Sequence, residues 1–228
     1  MRFRDPAGRK AAMEQLKKIG AEGLIVIGGN GSLTGAHLLA VEQGVRLIGI
    51  PGSIDNDIGC TATALGVDTA LNTIVTACDH ISDTARAHRR AFVVEVMGRD
   101  CGYLAMASAI AVAADAVLIR EQGKSENELV EAVASVVRNG YARGKRRILI
   151  VKAEGVQVPC TKLVRLTEER MITEMPNVEI RATVLGHVVR GGNPSYQDRA
   201  VAGRLGFAAV AELLSGATDQ MVAWLPPV

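Results

Sequence analysis

Short apolar runs alternate along this chain with longer stretches in which apolar residues recur at helical spacing. Residues 24–27 (LIVI), 47–50 (LIGI), 92–96 (FVVEV), 116–119 (AVLI) and 148–151 (ILIV) are too short for helices and read as strands. Between them, residues 7–19 place Ala12, Met13, Leu16 and Ile19 on one helical face, and residues 33–43 predict a helix that opens from a glycine loop. Val67, Leu71, Ile74, Val75 and Cys78 keep the 3.6-residue period of a long helix, and residues 102–114 form an alanine-rich one. Leu129, Val130, Val133, Val136 and Val137 mark another helix, with Ser125 as its cap and Glu128 three residues later. Residues 161–175 read as helical, and Val201, Leu205, Ala208 and Leu213 mark a final helix. Such strand–helix alternation predicts an α/β fold, with parallel sheets covered by helices on both faces.

Composition narrows the functional classes. A chain of 228 residues with 48% hydrophobic content can bury a substantial core, in one large domain or two modest ones. A net charge of +2 gives no reason to invoke nucleic acid or membrane lipid, and 3% aromatic residues make base-stacking platforms an unfavoured reading. The chain has no apolar run of about 18 residues and no signal-peptide pattern, so a cytoplasmic protein is expected. Cys60, Cys78, Cys101 and Cys160 lack metal-ligand spacing and are read as free thiols. Of His37, His80, His88 and His187, only His187 lies in a motif.

Candidate chemistry collects where the apolar runs end. The run at 47–50 passes through Pro51-Gly52 into Ser53, Asp55 and Asp57. In parallel sheets the ligand crevice lies beyond the carboxyl ends of the strands. Carboxylates there can take a proton from a substrate hydroxyl or hold Mg²⁺ against phosphate; an Asx-rich turn is the alternative. The run at 24–27 is followed by GGNGSLTGA, residues 28–36, the run at 92–96 by Met97-Gly98-Arg99, and the run at 148–151 by Ala153-Glu154-Gly155. Then comes RATVLGHVVRGGNPSYQDR, residues 181–199. A glycine-rich loop opening a helix brings backbone amides and a helix N-terminus to phosphate.

In this order and spacing the five motifs resemble those of the 6-phosphofructokinase family, over nearly the whole chain. The resemblance implies two Rossmann-like three-layer α/β/α domains: a nucleotide-side domain of residues 1–66 plus 190–228, and a sugar-phosphate-side domain of residues 67–189. It implies ATP-dependent phosphorylation of fructose 6-phosphate to fructose 1,6-bisphosphate, the glycolytic step, with Mg²⁺ as cofactor. Asp55 would then be the general base, Arg99 the residue that stabilises transition-state charge, and Ser53 a hydrogen-bond partner of the transferring phosphoryl group. Met97, Gly98 and Glu154 would bind the sugar, and Arg181, His187 and Arg190, with Arg90, the 6-phosphate. Gly28, Gly29, Asn30, Gly31 and Ser32 would bind the nucleotide, and Asn30 and Asp57 the metal. Residues matching Arg90 and Arg181 reach the neighbouring subunit's substrate in the family, which implies a homotetramer with shared active sites. Arg143 and Lys145 match effector-binding positions, but Ser82 stands where another effector arginine is expected.

The chain also departs from the family pattern. Asn30 stands where an aspartate is usual, so weaker metal binding, or greater reliance on Asp57, is expected. The family's first strand and its glycine loop would lie upstream of residue 1, and its last strand and closing helices beyond residue 228. Arg2 and Arg4 would directly follow that upstream piece, with Arg4 near the nucleotide, and residues 221–228 would begin the last strand. Two other readings stay open. One is a catalytically incompetent fragment or a sugar-phosphate-binding or regulatory subunit. The other is a pyrophosphate-dependent enzyme, disfavoured by Gly31 and Gly52, where such enzymes carry an acid and a lysine.

Overall fold

The computed structural model describes Phe3 and Asp5–Leu225; Arg2, Arg4 and residues 226–228 lie outside the described residues. By its contacts the chain forms two compact units. The first takes in the chain up to Ser53, Asp57–Gly66 and the chain from Pro194; the second takes in Ile54–Asn56 and Val67–Asn193.

In the first unit, helix α1 (Pro6–Lys18) is capped by the Asp5 side chain, which accepts from the Ala7 amide, and Pro6 supplies a preset first turn. Strand β1 (Leu24–Gly28) leads into α2 (Asn30–Gln43), and β2 (Leu47–Pro51) follows. Arg9 of α1 is 3% exposed and grips Glu42 of α2 with two parallel hydrogen bonds, Nε to Oε2 at 2.7 Å and Nη2 to Oε1 at 2.6 Å. A two-pronged guanidinium–carboxylate contact is among the stronger polar links between helices. Helix α7 (Tyr196–Ser215) lays Val201, Leu205 and Ala209 over Ile48 and Ile50, and β7 (Gln220–Met221) completes a parallel sheet in the order β1-β2-β7. Of the residues expected to begin the last strand, 221–228, Met221 lies in β7, and 226–228 lie outside the described residues.

The second unit contains α3 (Val67–His88), β3 (Ala91–Val96), α4 (Tyr103–Ala111), β4 (Ala116–Leu118), α5 (Glu126–Ala142), β5 (Ile148–Ala153), α6 (Cys160–Met171) and β6 (Ile180–Val184). Its four strands are parallel, in the order β4-β5-β3-β6. Ala91, Val93, Ile148, Ile150 and Ile180 pack against α5 and α6 through Leu129, Val133, Val137 and Leu163. The alternate residues Phe92, Val94, Leu149 and Val151 are also buried, on the face where α3 and α4 pack. The capping box predicted for α5 is present: Ser125 Oγ accepts from the Glu128 amide, and the Glu128 carboxylate accepts from the Ser125 amide at 2.8 Å.

Two helix bounds are corrected, and one strand is added that the apolar pattern did not predict. Helix α2 begins at Asn30 rather than residue 33, because Gly29 takes the extended cap conformation and the next three residues form the first turn. Helix α6 ends at Met171 rather than 175, where a turn closes through the Met175 amide onto the Met171 carbonyl at 2.7 Å. Residues 180–184 form β6, whose alternation of buried, half-buried and exposed positions carries no continuous apolar run.

Ile150 is fully buried in the interior strand β5. Ile150→Ala should lower unfolding free energy by about 3 kcal/mol, read as a shift of the denaturant midpoint followed by circular dichroism.

Candidate functional site

Both sheets are parallel, so their chemistry is expected at the carboxyl ends of the strands. In the first unit, β1 ends at Gly28 and β2 at Pro51, and Gly28 is in register with Pro51. Gly29 caps α2, so Asn30, Gly31 and Ser32 present first-turn amides at the helix N-terminus, a setting that favours anions. Ser53 follows β2 and is half-buried, and Asp57 is exposed; Asp55, which groups with the second unit, is 9% exposed. The Asn30 side-chain nitrogen donates to Asp57 Oδ2 at 2.9 Å and to the Asp57 carbonyl at 3.3 Å.

That contact decides how the donor set fits Mg²⁺. One carboxylate combined with substrate phosphates is a normal Mg²⁺ environment, and Asp57 meets it. Asn30 faces Asp57 with its amide nitrogen, which cannot ligate a cation. Asn30 and Asp57, the expected pair of metal ligands, thus stand beside each other as hydrogen-bond donor and acceptor.

In the second unit, Met97, Gly98 and Arg99 turn away from the end of β3 and Glu154 from the end of β5. The Glu154 amide donates to the Val96 carbonyl at 2.9 Å. Its Oε1 accepts from the amides of Gly98 at 3.2 Å and Arg99 at 2.6 Å. Gly98 has φ +141°, and a Cβ there would sit 2.6 Å from the Cys101 carbonyl oxygen. A Cβ at Gly155 would meet the Arg99 carbonyl oxygen at 2.3 Å, so both turns need glycine to interlock. Arg99 itself has φ 53°, an uncommon left-handed backbone, and its side chain lies at the surface. The neighbouring acid Asp100 pairs with Arg120, not with Arg99.

Sequence reasoning passed over two residues beneath these turns. Lys152 is 1% exposed, and its Nζ donates to Glu95 Oε2 at 2.8 Å, the Ala153 carbonyl at 3.2 Å and the Val156 carbonyl at 3.1 Å. The signal available was a pair of opposite charges one residue from the ends of two apolar runs that both lead into glycine turns.

The basic residues do not form one group within the chain. Arg90, just before β3, and Arg181, in register with Phe92, lie at the amino ends of their strands. Both are held by Glu179: Arg90 through Nε, and Arg181 through Nη2 at 3.1 Å. The Arg90 hydrogen bond keeps the Glu179 carboxyl below its ordinary value of 4.5. His187 and Arg190 are exposed in a 3-10 turn (Gly186–Arg190) beyond the other end of β6. Elsewhere, Lys145 pairs with Asp115, and Arg147 donates to Ser82 Oγ at 3.0 Å and the Ala113 carbonyl at 2.8 Å.

Two open parallel sheets with glycine turns and carboxylates at their carboxyl ends define a class of phosphate-handling α/β proteins. The phosphofructokinase family model matches residues 1–213, and the chain belongs to that family. A relative from Natranaerobius thermophilus, named ATP-dependent 6-phosphofructokinase, is 45% identical over 220 residues, 96% of this chain and 66% of that protein. One of the same name from Macrococcus caseolyticus is 48% identical over 223 residues, with the same coverage of each. The chain thus spans just under two thirds of the length of the curated relatives it matches. A solved phosphofructokinase from Saccharomyces cerevisiae superposes with TM-score 0.86 at 33% identity, over 98% of this chain and 33% of that one. A pyrophosphate-dependent phosphofructokinase from Marinobacter aquaeolei shares the fold, with TM-score 0.78 at 23% identity over 95% of this chain and 58% of its own. No helix among the described residues is long and apolar enough to cross a membrane.

Asn30→Asp replaces the donor against Asp57 with a second carboxylate. Affinity for Mn²⁺, used as a spectroscopic substitute for Mg²⁺, should rise about tenfold in an electron paramagnetic resonance titration. Unchanged affinity would remove position 30 from the cation's surroundings.

Proposed function

We propose that this chain serves the ATP-dependent 6-phosphofructokinase reaction, transfer of the γ-phosphoryl group of ATP to the 1-hydroxyl of fructose 6-phosphate. The observation that carries this reading is the buried carboxylate of Asp55 beyond the end of β2, in a chain closely similar to proteins named for that reaction. Asp55 accepts the hydroxyl proton as the sugar oxygen attacks the γ-phosphorus. The bond from that phosphorus to the bridging oxygen breaks, and ADP leaves with the electron pair. Arg99 offsets the charge that develops on the transferring group, and Ser53 hydrogen-bonds to it.

The first unit is assigned to the nucleotide, with Gly28, Gly29, Asn30, Gly31 and Ser32 around its phosphates at the α2 N-terminus. Asp57 is the residue that would hold Mg²⁺, which neutralises phosphate charge when bound. The second unit is assigned to the sugar phosphate. Met97 and Gly98 line the sugar, and Glu154 keeps its second carboxylate oxygen for a sugar hydroxyl. His187 and Arg190 take the 6-phosphate. Arg90 and Arg181, at the opposite end of the same sheet, suit the 6-phosphate held by a second copy of the chain, in keeping with a homotetramer. A cytoplasmic location accords with that role.

The pyrophosphate-dependent reading is less favoured. A Cβ at Gly31 would meet nothing within 4 Å, so the absence of a side chain leaves room beside the phosphates for the rest of a nucleotide. A coupled assay on the purified chain, with fructose 6-phosphate and Mg²⁺ and either ATP or pyrophosphate, tests the proposal. Turnover with ATP alone is expected. Turnover with pyrophosphate alone would overturn the choice of donor. Calorimetric binding of fructose 6-phosphate without turnover would favour the binding-subunit reading.

Asp55→Asn should lower turnover by about 10²-fold or more while sugar binding is largely kept; unchanged turnover would exclude Asp55 as the base. Arg181→Ala should raise the half-saturating concentration of fructose 6-phosphate by about tenfold with a smaller change in turnover. An unchanged half-saturation would remove Arg181 from the phosphate site.

A further inference from the structure

A lysine almost wholly withdrawn from solvent needs internal partners for its donors, and Lys152 has three. Its ammonium carries three N–H donors, and three acceptors surround it: one carboxylate oxygen and two carbonyls. The carboxylate belongs to Glu95, 18% exposed, directly across the ladder from Lys152 in the β3–β5 register. The carbonyls belong to Ala153 and Val156, the two ends of the turn that carries Glu154 and Gly155. That turn is closed by the Val156 amide on the Ala153 carbonyl at 3.1 Å. The lysine therefore braces the turn at both ends and ties it to the strand that ends in Met97-Gly98-Arg99.

We propose that Lys152 is the positioning residue of the interlocked turns at the ends of β3 and β5. Through the Ala153–Val156 turn it sets the Glu154 carboxylate, and Glu154 in turn fixes the amides of Gly98 and Arg99. Without the ammonium, the Val156 carbonyl loses its lysine donor, the Ala153 carbonyl keeps only the Val156 amide, Glu95 loses its partner, and the turn is free to shift. The Gly155 backbone runs close enough to the Arg99 carbonyl that a Cβ would come within 2.3 Å of it, so a movement of the turn bears directly on Arg99. The consequence for a sugar ligand rests on the functional reading above; the consequence for the backbone does not.

Amide hydrogen exchange tests the backbone claim without any ligand. In Lys152→Met, which keeps an unbranched side chain of similar length, the Gly98 and Arg99 amides should exchange about tenfold faster than in the parent chain. That increase is measured after correction for the change at the core amides of Val93 and Ile150. Should the single variant leave Glu95 unpaired and the chain unfolded, Glu95→Gln/Lys152→Met, which carries neither charge, replaces it. The same selective acceleration is expected there, since the turn carbonyls still lack the lysine donor. Exchange at Gly98 and Arg99 that changes only in step with the core would overturn the proposal and leave an ordinary buried ion pair.

A kinetic arm separates the two levels. If the parent chain phosphorylates fructose 6-phosphate, the variant should raise KM for that sugar about fivefold or more, with a smaller change in kcat. Selective amide acceleration with an unchanged KM would overturn the link to sugar binding. A parent chain with no turnover would overturn the functional reading, while the exchange result would still decide the role of Lys152.

Discussion

Two peptide N–H groups beyond the end of β3, those of Gly98 and Arg99, leave the ladder and are taken up by a single carboxylate oxygen of Glu154. The arrangement of the second unit's site follows from that contact. It exists because β3 and β5 are parallel neighbours in register, Val96 opposite Ala153, so that the turns leaving them emerge side by side. Hydrogen bonds to a charged acceptor are roughly twice as strong as neutral ones, which lets one side chain hold Arg99 in the left-handed region. The approach is so close that position 155 admits no Cβ, and Glu154, an exposed residue, fastens both amides through one oxygen of its carboxylate.

The same sheet carries a different electrostatic arrangement at its other end. Glu179 gathers Arg90 and Arg181, and the Arg90 hydrogen bond holds its carboxyl below 4.5. A carboxyl with a depressed value stays ionised throughout the neutral range, and its contribution is lost only as pH falls below its unfolded value toward the folded one. Each guanidinium has five N–H donors and commits only some of them to Glu179, so further donors remain for an anion. Two like charges that would otherwise separate are thus pre-gathered on the surface, at the cost of one compensating negative charge. An anion arriving there meets an ordered pair rather than two mobile side chains, which reduces the rotamer entropy lost on binding.

Much of this was legible in the chain itself. The strands with continuous apolar runs were visible because strands buried on both faces of a parallel sheet have no polar alternation. The capping box at Ser125 and Glu128 and the motif turns at 28–32, 97–99 and 153–155 could be placed from local chemistry alone. Strand β6 was not visible as a strand, because Arg181 and Val184 are exposed while Ile180 is buried, and the segment lacks a continuous apolar run. Helix α2 starts earlier than its composition suggests, since two glycines and an asparagine are poor helix formers but acceptable at a cap and first turn. Lys152 and Glu95 were hidden for a different reason. A charge at the end of an apolar run normally marks the return to solvent, and only the pairing of β3 with β5 reveals that each buries the other.

The contact between Asn30 and Asp57 bears on how a cation would enter the proposed reaction. Two carboxylates at these positions would repel, and a divalent cation between them would relieve that repulsion. Here the amide of Asn30 already donates to the Asp57 carboxylate, and the partial positive charge of the α2 N-terminus lies close by. A cation approaching Asp57 would therefore compete with an existing donor rather than fill a gap. Phosphate oxygens supply the ligands that such a one-carboxylate site lacks. In the proposed reaction, recruitment of the metal would thereby be tied to the nucleotide: the cation would gain its full set of partners only when phosphates at the α2 N-terminus bring theirs.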